Sequence, residues 1–117
     1  SLSHSLGGVN PRLHHGTLNA MFLPAVVRFN AQAESVQKER RLERMAHAMG
    51  LASSTDIPEA IRDMNARLGL PTGLAAMGVT PDVFDDVIKG AMADHCHKTN
   101  PRVATPEQYR EMLHQSL

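Results

Sequence analysis

The sequence predicts an all-α domain, a helical bundle of about five helices. Three observations carry that expectation. Apolar residues recur at helical spacings in one segment after another, and no segment holds the period-two alternation of a half-buried strand. Aromatic residues make up only 3% of the chain while 42% is hydrophobic, so the core must be filled by Leu, Ala, Met, Val and Ile. Helix start and stop signals separate the apolar stripes at intervals that suit one domain of 117 residues.

Ser1 to Gly8 reads as the last turns of a helix, with Leu2 and Leu6 apolar and Gly7-Gly8 as its stop. Val9 to His14, with Asn10-Pro11, reads as a loop. Gly16 to Asn30 is the most apolar segment. Leu18, Met21, Phe22, Ala25, Val26 and Phe29 form a helical stripe, and Leu23 and Val27 extend it nearly all round, which marks a buried helix. Pro24 removes a backbone donor there and is expected to kink it. A buried strand over Met21 to Val27 is the alternative, disfavoured by the length of the segment.

Ser35 to Met49 predicts one amphipathic helix, with Val36, Leu42, Met45, Ala46 and Met49 inward and Gly50 as its stop. Its cluster Lys38, Arg40, Arg41 and Arg44 reads as a solvated face, interleaved with Glu39 and Glu43, rather than a phosphate site. Asp56 to Leu68 predicts the next helix, with Asp56 and Glu59 as a capping-box variant, Pro58 in the first turn, and Ile57, Ala60, Ile61, Met64 and Leu68 along one side. Leu70 to Val79 is a connection. Thr80-Pro81 starts a helix to about His95, carrying Val83, Phe84, Val87, Ile88 and Met92. Thr105-Pro106-Glu107-Gln108 starts the last helix with a cap, a proline and a capping-box glutamine, and Tyr109, Met112 and Leu113 face inward.

Composition narrows the function classes. Twelve basic residues balance twelve acidic ones, so no net field draws a polyanion. The longest apolar run, Ala20 to Val27, is far short of the roughly 20 residues that a membrane-spanning helix needs. One cysteine, Cys96, excludes an internal disulfide framework, and a reduced, cytoplasmic setting is expected. Seven histidines leave metal chemistry open. His14-His15 precedes the buried helix, and adjacent side chains diverge, so one ion takes one of the two. His95-Cys96-His97 invites a zinc reading, but alternate residues on a helix point apart and no second cysteine exists. No glycine-rich phosphate loop follows a strand.

The string His4-Ser5-Leu6-Gly7-Gly8, a short loop, and then His15-Gly16-Thr17-Leu18-Asn19-Ala20 with Leu23-Pro24 and Phe29-Asn30 resembles the iron-containing alcohol dehydrogenases. Asp94, Cys96 and Asn100-Pro101-Arg102 resemble that family's closing D-x-C-x-x-x-N-P-R stretch. The resemblance implies a two-domain enzyme. Residues 1–117 would be part of its C-terminal all-α metal and substrate domain, and an α/β nicotinamide-binding domain would lie outside this chain. It implies Fe(2+), with zinc possible in relatives of the same architecture, and NAD or NADP. It implies His15 as a metal ligand, with the other three ligands upstream of Ser1. His4 would act in the active site by orienting the cofactor or relaying a proton, and Cys96 would lie near the substrate side of the cleft. The His4-to-His15 spacing is one residue longer than the family's commonest, which leaves His14 as the alternative ligand. Met21, Phe22 and Leu23 are candidates for a substrate wall.

The parent's partner would be a small alcohol or aldehyde, with no nucleic acid or membrane and with a homo-oligomeric state. The isolated chain is expected to be inactive, without bound metal or cofactor, and to self-associate through Leu18, Phe22, Val26 and Phe29 near Leu2 and Leu6. Glycerol dehydrogenase-like and maleylacetate reductase-like activities are the alternatives within the superfamily. A stand-alone helical interaction module is the alternative outside it.

Overall fold

A computed structural model describes all residues, 1–117. It contains seven α-helices and no strand: α1 Leu2–Val9, α2 His15–Asn30, α3 Glu34–Lys38, α4 Arg41–Ala48, α5 Ile57–Arg67, α6 Phe84–Ala93 and α7 Pro106–Gln115. Short 3-10 turns sit at Ser54–Asp56, Ala75–Met77, Pro81–Val83 and His95–His97. No helix is long and apolar enough to cross a membrane.

The central element is α2, as its all-round apolar surface predicts. Leu18, Met21, Phe22 and Ala25 join Leu2 and Leu6 of α1, Phe84, Val87, Ile88 and Ala91 of α6, and Tyr109, Met112 and Leu113 of α7 in one buried cluster. A smaller cluster, Val27, Ala46, Ile57 and Ile61, seals α2 against α4 and α5. Leu2, Leu6, Leu18 and Phe22 are thus buried within the chain itself. The expectation that they form a self-association face is overturned for these four, because α1, α6 and α7 already cover them. Val26 and Phe29 remain half-buried.

Helix α2 runs through Pro24 without interruption. Proline has no N–H, so the carbonyl of Ala20, four residues earlier, loses its helical donor. The Asn65 side chain on α5 supplies the replacement: its Nδ2 donates to the Ala20 oxygen at 3.0 Å. Asn65 is buried, and no buried side-chain polar atom anywhere in the chain lacks a partner.

Four local expectations are corrected. Gly7-Gly8 does not end α1, which continues to Val9 and stops at extended Asn10. Neither glycine has positive φ, and Gly7 lies against Leu18, where a Cβ would sit 3.9 Å from Cδ1. The predicted helix over Ser35 to Met49 is two helices, broken at Arg40, whose φ of 52° is left-handed. Its inward set is correspondingly smaller: Val36 and Ala46 are buried while Met45 and Met49 are exposed. Asp56 does not cap α5. Ser53 accepts from the Thr55 N–H one turn earlier, and Glu59 pairs with Arg28 and Arg62 across the surface. On α5, Ile57 and Ile61 are buried, but Met64 and Leu68 face solvent. The Thr105–Gln108 capping box forms as expected, with both reciprocal hydrogen bonds.

Replacing Asn65 by Ala should destabilise the fold by about 0.5–1.5 kcal/mol, the net worth of a part-buried hydrogen bond. The loss should shrink in a Pro24→Ala background, where the backbone at position 24 regains an N–H for the Ala20 carbonyl. A double-mutant cycle of urea unfolding measures the difference, and additive losses would refute the pairing.

Candidate metal and active-site face

Three segments meet at one rim: the middle of α1, the start of α2, and the turn that follows α6, some 80 residues further on. The start of α2 separates the two consecutive histidines. His14 is the N-cap residue, with extended backbone, and its Nδ1 accepts from the Thr17 N–H at 3.4 Å. His15 is the first helical residue. Its ring is exposed, and its polar contact is with the Asn19 amide one turn on, 3.2 Å from Nε2.

His4 projects from α1 and stacks on His15, with ring centroids 5.3 Å apart and planes within 13°. It also lies near-parallel to His95, with ring centroids 6.0 Å apart. His4 Nδ1 lies 2.8 Å from Asp94 Oδ2. An ionised carboxylate accepts only, so Nδ1 carries a proton, and in the neutral ring Nε2 is the acceptor.

Asp94 terminates α6. Its Oδ1 accepts from the Cys96 N–H at 2.7 Å and so closes the turn His95–His97. The side chain is only 12% exposed. Burial pushes the carboxyl up, but the hydrogen bonds from the Cys96 N–H, the His4 ring and the Cys96 side chain outweigh it and hold the carboxyl down at about 2. The turn itself is anchored from beneath. His97 is buried, and its Nδ1 pairs with the Tyr109 hydroxyl of α7 at 2.8 Å. The three residues of His95-Cys96-His97 therefore have separate fates: an exposed ring, a half-buried thiol beside Asp94, and a buried anchor.

Cys96 also borders a groove of about 490 Å³ lined by Phe22, Leu23, Val26 and Phe29 with Asn19 and Thr99. Phe22 and Leu23 thus face this groove, whereas Met21 is buried in the core and takes no part in the wall. The Asn100-Pro101-Arg102 string closes the far end structurally. Asn30 and Asn100 exchange side-chain hydrogen bonds at 3.2 and 2.7 Å, and Arg102 lies 4.0 Å over the Phe29 ring while donating to the Phe29 carbonyl.

Residues 1–117 match the model of the C-terminal part of the Fe-containing alcohol dehydrogenase family. The chain belongs to this family. It is 56% identical over 121 residues to a 4-hydroxybutyrate dehydrogenase of Cupriavidus necator, covering 100% of this chain and 32% of that protein. It is 33% identical over 128 residues to an NAD-dependent methanol dehydrogenase of Bacillus methanolicus, covering 100% of this chain and 32% of that protein. A crystal structure of a 1,3-propanediol oxidoreductase superposes with a TM-score of 0.78 at 29% identity, covering 99% of this chain and 31% of that one. The chain therefore spans about a third of the length of the relatives it matches. As a family member its helical fold is that of the C-terminal part.

Sequence reasoning singled out His4 and His15, placed Cys96 near the substrate side of a cleft, and named Asp94 only inside a motif. It did not join Asp94 to His4, since the two are 90 residues apart. The signal available was the capping preference of an Asp two residues before Cys96, directly after a helix.

Asp94 has a lowered folded-state carboxyl, so its stabilisation is complete above the ordinary value of 3.8 and is lost as pH falls through about 2. The stability gap between the native chain and Asp94→Asn should be constant at neutral pH and close over that acidic window. Urea unfolding at stepped pH reads it, and a gap unchanged down to the acid limit would contradict the assignment.

Proposed function

We propose that this chain forms the metal-facing helical part of a dehydrogenase that exchanges hydride between a primary alcohol and NAD or NADP, with 4-hydroxybutyrate as the alcohol of first choice. The stacked His4–His15 pair carries this reading: two histidines that the family resemblance marks for the active site, eleven positions apart, present parallel rings at one rim. The choice of alcohol rests on the 56% identity to the 4-hydroxybutyrate enzyme over the whole chain.

The fit of a divalent ion is tested by the donor that is present. The His15 ring is exposed, and its Nε2 is engaged only by an amide contact of 3.2 Å, which an Asn19 rotation releases. A neutral imidazole at an open rim suits iron or zinc. His15 would hold the ion, joined by ligands from outside this chain. The ion would supply Lewis acidity toward an alcohol oxygen. His4 orients what lies against its ring face and accepts or returns a proton at Nε2, while Asp94 keeps the other ring nitrogen protonated. This is the division of labour of any carboxylate–imidazole pair, in which the acid fixes the tautomer and the ring moves the proton. The groove along Phe22, Leu23 and Val26 excludes water from the alcohol's carbon chain.

In the full-length protein that carries this chain, oxidation of 4-hydroxybutyrate should require nicotinamide cofactor and bound metal. His15→Ala should lose the metal and reduce kcat/KM by more than about a hundredfold. His4→Ala should keep the metal and lower kcat by roughly 10²–10⁴-fold. Elemental analysis beside steady-state kinetics separates the two. Metal retained in His15→Ala would move the ligand role to His14, and the absence of any alcohol turnover in the metal-loaded enzyme would end the proposal. Asp94→Asn keeps a capping oxygen but not the charge, so kcat should drop by about 10–100-fold with little change in KM.

A further inference from the structure

The cluster at the end of α6 holds a thiol that the dehydrogenase reading leaves unused, beside the His4–Asp94 pair that it employs. His4, Asp94 and Cys96 each offer one ligand atom, and these atoms lie within 4.8 Å of one another. We propose that His4, Asp94 and Cys96 form a binding site for one divalent cation of the Zn2+ class, built on donors other than His15.

The donors are held before any ion arrives. Asp94 is fixed by the Cys96 N–H at 2.7 Å and by His4 at 2.8 Å. The turn that carries Cys96 is pinned by buried His97 on Tyr109. The α1 backbone beneath His4 is pinned where the Ser5 hydroxyl donates to the Val87 carbonyl at 2.6 Å. Preorganised donors lose little freedom on binding, which is where metal affinity comes from.

The donor types select the ion. An imidazole, a carboxylate and a thiolate together favour Zn2+ or Co2+ over Mg2+ or Ca2+, which prefer all-oxygen sets. Carboxylate and thiolate also balance the two positive charges, so the occupied site is neutral. Tetrahedral bonds of about 2.0–2.3 Å place ligand atoms roughly 3.3–3.7 Å apart, so the His4–Asp94 contact must open by less than about 1 Å. The ion takes the place of the His4 Nδ1 proton, which passes by way of solvent to Nε2 so that the ring stays neutral, and of the thiol proton, which leaves to solvent. A fourth position is available to water or to the exposed His95 ring, whose Nε2 is already 3.3 Å from the Cys96 sulfur. The sequence sets aside a zinc site made of His95-Cys96-His97 alone, and His97 indeed lies in the core, while the middle residue belongs to a site completed from α1.

The inference stands apart from the dehydrogenase reading, because its readout is a cobalt–sulfur bond and not turnover. The full-length protein, its own metal site filled, is titrated with cobalt chloride. A near-ultraviolet thiolate-to-cobalt charge-transfer band should rise to one equivalent and should be abolished by Zn2+ competition. It should be absent in Cys96→Ser and need at least about tenfold more cobalt in Asp94→Asn, a variant that keeps the turn capped. It should persist in His15→Ala. Far-ultraviolet circular dichroism confirms that each variant is folded. No band in the native protein, a band that survives Cys96→Ser, or a band lost in His15→Ala would overturn the proposal.

Discussion

The close approach of α1 to α6 decides where every histidine at the rim can stand. Gly90 makes it possible, since a Cβ at that position would sit 2.2 Å from the Ser5 hydroxyl. With no side chain there, Ser5 reaches over α6 to the Val87 carbonyl, and Leu2 and Leu6 sink into the core on either side. One helical turn then fixes the rest. His4 lies next to Ser5 on the edge of α1 and is carried to the C-terminal end of α6, where it meets Asp94. The face is tied to buried side chains, Leu2 and Leu6 beneath α1 and His97 beneath the turn.

Polar groups in this small core are few and each has an assigned partner, which is the condition for burying them at all. His97 and Tyr109 satisfy one another, and Tyr109 also reaches the Ser1 hydroxyl at 3.2 Å. Burial raises the Tyr109 phenol above its ordinary value, against the Ser1 hydrogen bond. The Asn30–Asn100 exchange and the Arg102–Phe29 contact close the far end of α2 in the same manner. The Asn-Pro-Arg string, which the family resemblance singles out, therefore has a structural role in this chain.

How much of this was legible in the sequence follows from the range of each interaction. The buried character of α2, the capping box of α7 and the glycine stop at Gly50 rest on neighbours within four residues, and all three stand. The break at Arg40 carries no glycine or proline to announce it, so the stripe from Val36 to Met49 reads as continuous. Pro24 was legible as a lost donor, but the remedy, Asn65, lies 45 residues from the Ala20 carbonyl it serves. Asp94 and His4 fall in the same class. Local pattern shows what a segment needs, and only the assembled fold shows which distant residue supplies it.

The pair His14-His15 shows why a motif residue and its neighbour take different work although both are imidazoles. A helix start leaves N–H groups without partners, and an N-cap residue must turn one acceptor toward them. His14, with extended backbone, turns Nδ1 inward to Thr17 and is consumed. The chain then enters the helix, and the next side chain is swung outward, which is where His15 meets the His4 ring. The same helix end carries partial positive charge, which opposes a cation bound there. The lowered carboxyl of Asp94, ionised and hydrogen-bonded to His4, brings negative charge to the same rim. The electrostatics of the rim thus depend on a residue that does not touch His15 at all. The same carboxylate caps the turn before Cys96 with one oxygen and holds the His4 ring with the other, so its place directly after α6 has a physical reason on both sides.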